Sequence, residues 1–313
     1  RATYIGGCGA TACAITDRDY GVPAVGTMAH SWVQMFDSEY EAFKSYAQIY
    51  PDDCTLLVDT YNVLKSGIPN AIKVFNEVIL PLGHRPKGVR IDSGDIAYLS
   101  KKARKMLDEA GFADVKIVAS NSLDEYIIRD LQLQGAKLDS FGIGERLITS
   151  KSDPVFGGVY KLAAIQDSET GRFIPKIKLS ENSEKITNPG NKTIYRIYDK
   201  ATGKIKADLI CLVGETFDEN EPLVLFDPNE PWKKTKLQPG SYELREMMVQ
   251  VFDRGRCIYH SPKVMDIRSY CQKELDTLWD ETRRLVNPHG VHVDLSQKLY
   301  DMKISLLNEM SRV

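Results

Sequence analysis

A repeat in the first half of this 313-residue chain constrains its fold most strongly. Between residues 22 and 144, a short apolar run, a polar turn and an amphipathic stretch follow one another five times. The strand candidates are 22–27, 55–59, 88–92, 116–120 and 140–144. They are nearly continuous apolar runs, as expected of strands covered on both faces. The intervening stretch 101–111 carries Ala103, Met106, Leu107 and Ala110 at helical spacing, and Gly111 supplies a stop. Strands alternating with helices at this spacing are parallel βα units. Five in series favour an α/β fold with a (β/α) barrel or barrel-like core. A doubly wound sheet is the competing arrangement.

The polar residues fall at one end of each run. Thr27 and His30 follow the first, and Asp59 and Thr60 end the second. Asp92, Ser93, Gly94 and Asp95 end the third, Ser120 and Asn121 the fourth, and Gly142 and Gly144 the fifth. Active sites of parallel α/β folds lie at this carboxyl-end rim. A single acid there serves equally well as a helix N-cap, but five clusters in register exceed what capping requires.

The stretch GVRIDSGDI is the richest of these. Asp92 and Asp95 can hold ribose hydroxyls or a hydrated Mg²⁺, or can cap the next helix. Arg90 shares a strand face with Asp92 and can grip a carboxylate or phosphate with two N–H groups. FGIGERL is a Gly-x-Gly before a helix-like run, able to cradle a phosphate and equally able to be a plain turn. His30, in GTMAHS, has three readings: a core or capping residue, a general base, or a nucleophile that takes a phosphoryl group. His84, His260, His289 and His292 lie away from the rim runs and read as structural.

Composition narrows the partners. A net charge of -2 leaves no nucleic-acid or membrane footprint, and no apolar run approaches the roughly 18 residues of a membrane span. No signal peptide is visible, and no GxxxxGK[ST] loop appears. The six cysteines are scattered without a CxxC pair, which argues against zinc and disulfides and for a reducing cytoplasm. The chain starts at Arg1 and turns structure-like at once, as a piece of a longer chain would.

Taken together, YIGG, GVPAVGTMAHSWV, LLVDTYN, GVRIDSGD, VASNSLDE, FGIGERLITS and GGVYKL closely resemble the bacterial nicotinate phosphoribosyltransferase family, in family order from about residue 3 to residue 162. The likeness continues more loosely through KIKLSENSEKITNPG. The resemblance implies transfer of phosphoribosyl from phosphoribosyl pyrophosphate to nicotinate for NAD synthesis, with Mg²⁺, and with ATP hydrolysis coupled through a phosphohistidine. His30 matches the phosphorylated position, with Thr27 and Ser31 as local partners. Arg90 would face the pyridine carboxylate. Asp92, with Asp95 close by, would hold ribose hydroxyls or Mg²⁺. Ser93 and Gly94 belong to the same turn. Ser120, Asn121, Gly142 and Gly144 would cradle the 5′-phosphate, and Asp59 and Thr60 would lie beside His30 and the ribose.

Two departures accompany the resemblance. The family's Thr-Ser-Asn after the GG segment reads Thr11-Ala12-Cys13 here, so a polar group near the pyridine is replaced while Thr11 is kept. The family's N-terminal third, with its stacking aromatic, paired arginines and second-domain strands, has no counterpart in the chain. The barrel is then expected to be incomplete at the N-terminus, with edges for another chain to cover, and a homodimer is the expected assembly.

Three regions are expected: a catalytic α/β domain at 1–162, a β-rich module at 163–226 and a mostly helical region at 227–313. TIYRIYD, KATGK and ADLICLV read as a hairpin turning at Thr202-Gly203. The loop around Lys176, Lys178 and Lys185 either covers phosphates or is simply solvated. Residues 268–286 and 295–310 read as amphipathic helices. Nicotinamide or quinolinate phosphoribosyltransferase is the rival enzyme, and a catalytically inactive fragment is the rival from another class. A barrel aldolase would place a lysine at a strand end, and the rim clusters contain none.

Overall fold

The computed structural model describes residues 1–182 and 185–310. Residues 183 and 184 of the lysine-bearing loop lie outside the described residues. The chain divides into two units, Arg1–Phe156 and Gly157–Val313.

Four of the five apolar runs pair side by side in the first unit. β1 (Thr55–Leu57), β2 (Gly88–Ile91), β3 (Lys116–Ala119) and β4 (Ser140–Phe141) form one sheet in the order β1-β2-β3-β4, all parallel. Leu56 stands opposite Val89, and Val89 opposite Ile117. All three side chains are fully buried, each contributing about 1.5–3 kcal/mol relative to exposure.

The fifth run does not join. Residues 22–27 make one isolated parallel bridge, Thr11 to Ala24. Pro23 has no N–H to give a ladder, and Val25 points into solvent. The expected barrel is therefore an open four-stranded sheet: the parallel α/β character holds, but among the described residues nothing closes the ring.

Around the sheet stand α1 (Ala2–Ile5), α2 (Ala14–Tyr20), α3 (His30–Gln34), α4 (Glu39–Ile49), α5 (Ile68–Val74), α6 (Ile96–Glu109), α7 (Glu125–Leu133) and α8 (Glu145–Ile148). Two π-helical turns, Val63–Gly67 and Phe75–Ile79, flank α5 in one continuous run. Asp95 caps α6 by accepting from Tyr98 N at 2.9 Å. Ile96, Ala97, Ser100, Ala103 and Leu107 form its buried stripe. Gly111, at φ +83°, ends the run as expected.

The second unit opens with the hairpin β5 (Ala164–Gln166) and β6 (Phe173–Pro175). The predicted hairpin follows as β7 (Lys192–Asp199) and β8 (Ile205–Leu212), turning through Gly203 at φ +67°. Buried residues alternate along β8, so only one of its faces is sealed.

Next come β9 (Leu223–Asp227), β10 (Glu230–Leu237), β11 (Tyr242–Glu246), β12 (Phe252–Asp253), β13 (Arg256–Cys257), α9 (Val264–Asp276), β14 (His292–Leu295) and α10 (Gln297–Met310). The region after residue 226, expected to be mostly helical, thus holds five strands among the described residues, and two of them complete the sheet β11-β7-β8-β14. The α9 helix also stops ten residues short of its sequence pattern. Lys204 Nζ donates to the carbonyls of Asp276 and Leu278, and Ile205 N donates to Thr277 O. These caps come from the hairpin and are invisible locally.

Candidate active site

The rim predicted from the sequence exists at the carboxyl ends of β1, β2 and β3. Asp59 and Thr60 lie just past β1, Asp92 directly past β2, and Ser120 directly past β3. His30 opens α3 and reaches this rim from outside the sheet. Its Nδ1 lies 3.1 Å from Thr60 Oγ1. Its Nε2 lies 3.9 Å from Asp59 Oδ1 and 3.7 Å from Asp92 Oδ2. The imidazole is therefore held by Thr60, not by Thr27 or Ser31, and it faces two carboxylates beyond direct hydrogen-bond range.

Asp59 also organises its neighbours. Its Oδ2 accepts from Asp92 N at 3.0 Å and from Ser93 Oγ at 2.6 Å, which locks the DSGD turn onto β1. Its Oδ1 is buried without a hydrogen-bond partner. Its side chain is only 2% exposed, against 28% for Asp92 and 39% for His30.

Arg90 donates through Nε to Ser120 Oγ at 2.8 Å, through NH1 to Thr27 Oγ1 at 2.8 Å, and through NH2 to Asp92 Oδ1 at 2.7 Å. Of the five N–H donors of a guanidinium, two, one on each terminal nitrogen, lie outside these bonds and are available to an anionic ligand. Ser120 also donates to Asp92 Oδ1. Burial pushes the Asp92 carboxyl up, but the hydrogen bonds from Ser120 and Arg90 outweigh it and hold the group below the usual carboxylate range. Asp92 is thus an anion with one oxygen, Oδ2, left facing the histidine.

The remaining candidates are arranged differently. Asp95 is exposed and engaged as the α6 cap. Gly94, at φ +83°, makes the turn before it. Asn121 adopts φ 106°, unusual for any residue but glycine, and its Oδ1 accepts from Ser122 N at 2.6 Å. Gly142 donates its amide to Ala119 O, and a Cβ there would meet Ser120 Cβ at 3.3 Å, so the glycine allows β4 to lie close to the rim. Gly144 precedes the one-turn α8. Thr11 Oγ1 accepts from Cys13 N, and the Thr11 backbone bridges the segment that leads to His30. His84 pairs with Asp52 at 2.6 Å, away from this cluster, as its structural reading expected.

No group of three or more His, Cys, Asp or Glu side chains among the described residues could hold a metal ion. The fit for Mg²⁺ is therefore partial. Asp92 Oδ2 is a free anionic oxygen, and the rest of an octahedral shell would come from water and substrate oxygens, the usual arrangement for this ion. One buried acid of the first unit escaped the sequence reading. Glu39 follows the Ser38 cap of α4 and looks like an ordinary first-turn carboxylate, yet it is 5% exposed.

The site is thus the rim of a parallel α/β sheet, with an imidazole facing two carboxylates beside an arginine fork. Comparison with known proteins gives the particular family. Residues 8–199 match the model described as "Nicotinate phosphoribosyltransferase (NAPRTase) family", and residues 191–303 match its C-terminal domain. The chain belongs to this family.

It is 42% identical to the nicotinate phosphoribosyltransferase of Bacillus subtilis (strain 168), over 99% of this chain and 62% of that one. It is 30% identical to the Dictyostelium discoideum protein of that name, over 96% of this chain and 58% of that one. The crystal structure of human nicotinic acid phosphoribosyltransferase superimposes with a TM-score of 0.73 at 25% identity, covering 97% of this chain and 66% of that one. The chain spans less than two thirds of the length of these relatives.

Proposed function

We propose that this chain carries the transfer centre of a nicotinate phosphoribosyltransferase. Nicotinate nitrogen attacks C1 of phosphoribosyl pyrophosphate, the C1–O bond to pyrophosphate breaks, and nicotinate mononucleotide and pyrophosphate leave. The supporting observation is His30 Nε2 set between Asp59 and Asp92, next to the Arg90 fork, in a member of this family. Positive charge builds at C1 in the transition state, and the Asp92 and Asp59 carboxylates stabilise it. The two N–H groups of Arg90 outside its internal bonds suit the pyridine carboxylate. Ser120, Asn121, Gly142 and Gly144 would receive the 5′-phosphate, with Ser93, Gly94, Asp95 and Thr11 around the ribose and base. Mg²⁺, taken up by Asp92 Oδ2 and substrate oxygens, would neutralise charge on the pyrophosphate.

ATP enters this reading through His30. Nε2 faces two carboxylates, so an anionic phosphoryl group is better accommodated on Nδ1, where the Thr60 hydroxyl can donate to it. Transfer of the γ-phosphoryl to Nδ1 releases ADP, and later attack by water returns phosphate and free imidazole. A homodimer in a reducing cytoplasm completes the reading, supported by the open edges of the β1–β4 sheet and by six scattered cysteines without a CxxC pair. No helix among the described residues is long and apolar enough to cross a membrane.

The test is direct. The chain is incubated with nicotinate, phosphoribosyl pyrophosphate, Mg²⁺ and ATP, and nicotinate mononucleotide is assayed. Product supports the reading. Its absence with the chain alone and with an added N-terminal segment of a relative would refute it. His30→Ala is expected to abolish ATP hydrolysis while leaving a slower ATP-independent transfer, and unchanged hydrolysis would exclude the phosphohistidine.

A further inference from the structure

Glu39 opens α4 and is buried in the first unit. Its Oε2 accepts from Asn70 Nδ2 at 3.0 Å, while Oε1 is buried with no hydrogen-bond partner. No ion pair reaches it among the described residues. Asn70 belongs to α5, directly after the π-helical turn Val63–Gly67. That turn presses on the end of β1: a Cβ on Gly67 would lie 1.9 Å from Val58 O. The residue after Val58 is Asp59, which carries the other buried, unpartnered carboxylate oxygen in the first unit among the described residues. The two lone oxygens are thus linked through a single helical run.

Two uncompensated buried carboxylates in one core are strongly unfavourable. Asp59 has two donors on Oδ2 and an imidazole opposite Oδ1, whereas Glu39 has a single amide donor in its bonds. We propose that Glu39 is a positioning residue of the His30 centre: its buried carboxyl ties α4 to the 63–79 helical run through Asn70 and so fixes Asp59 beside the imidazole. Burial pushes the Glu39 carboxyl above the usual range, the bond from Asn70 pulls it part of the way down, and the Asp59 charge pushes it up again. Asp59 is the charged group that acts on it.

This inference deepens the proposed function, but its main test needs no turnover. In the native chain, the ¹³C-labelled Glu39 carboxyl, assigned by its loss in Glu39→Gln, is expected to titrate above an ordinary glutamate. Titration at or below the ordinary value overturns the proposal. Glu39→Ala and Asn70→Ala are expected to shift the backbone amide resonance of Asp92, which donates to Asp59 Oδ2, with Glu39→Gln returning it toward wild type. In the transfer assay, Glu39→Ala is expected to lower kcat/KM on the order of tenfold, mainly through kcat. If Glu39→Ala does not fold, Asn70→Ala and the native titration still decide. Variants that lose stability yet leave the Asp92 amide resonance in place would make Glu39 a packing residue only. Loss of transfer in every chain, wild type included, would instead count against the proposed function.

Discussion

At the residue scale, Arg90 shows how one side chain organises a site. Its three bonds join residues from three separate stretches: Thr27 before α3, Asp92 after β2 and Ser120 after β3. A lysine keeps the charge but cannot present three divergent donors in a rigid fork. Arg90→Lys is expected to lower kcat/KM for nicotinate by about tenfold to a hundredfold, the loss of one or two charge-assisted bonds. The melting temperature should change little, since Asp92 keeps Ser120. Steady-state kinetics with a thermal melt checks this; a large fall in melting temperature with unaltered kinetics would make Arg90 a scaffold residue.

At the element scale, the π-helical turn Val63–Gly67 is the unusual piece. Asn62 caps it by accepting from Leu64 N and Lys65 N at 3.2 and 2.8 Å. The wider turn brings Gly67 against the backbone at Val58, where no side chain fits. Gly67→Ala forces this turn away from β1, and overpacking of this kind costs about 1–3 kcal/mol. Because Asp59 follows Val58, the variant should lose activity beyond what its lower stability explains. Chemical denaturation set beside transfer rates measured well below the melting point checks this. Equal stability with full activity would show that the turn does not position Asp59. π-bulges often accompany functional sites, and here the reason is a close approach that a regular helix would hold off.

At the scale of the whole molecule, the two units are held by different chemistry. The first rests on a continuous apolar core around β1, β2 and β3. The second adds a charged lattice: Arg196 donates to both oxygens of Asp208 at 2.8 and 2.9 Å, and Arg245 donates to Glu274 at 2.6 Å. Bonds from Lys206 and Thr202 hold Asp199 down to about 2, and Glu274 lies below its usual value through Arg245. A depressed carboxyl stabilises the fold above its unfolded pKa and loses that contribution as pH falls through the folded one. Stability is therefore expected to decline from about pH 4 downward toward pH 2. Denaturant midpoints across that range test this, and Asp199→Asn should flatten the slope. A midpoint that does not move with pH would exclude these carboxylates as contributors.

The sequence by itself determined the parallel α/β character of the first half, the family, and the rim. The period of apolar runs and the turn residues after each run are local properties, and side-chain alternation placed Arg90 and Asp92 together. It likewise set the α6 stripe, its Gly111 stop and the hairpin at Gly203. Tertiary structure decided the rest, because each remaining question concerned a partner distant in the chain. Residues 22–27 look like a strand but find no ladder beyond Thr11. His30 bonds Thr60, thirty positions away, and not its neighbours Thr27 and Ser31. The α9 helix ends early because Lys204 caps it, and five strands after residue 226 form because β7, β8 and β9 offer edges or because local hairpins close. Nothing local marks Glu39 as buried; the packing of α4 against α5 makes it so. Periodicity reports which face of an element is apolar, whereas burial of a single polar group depends on what packs over it, and that is fixed only when the chain is assembled.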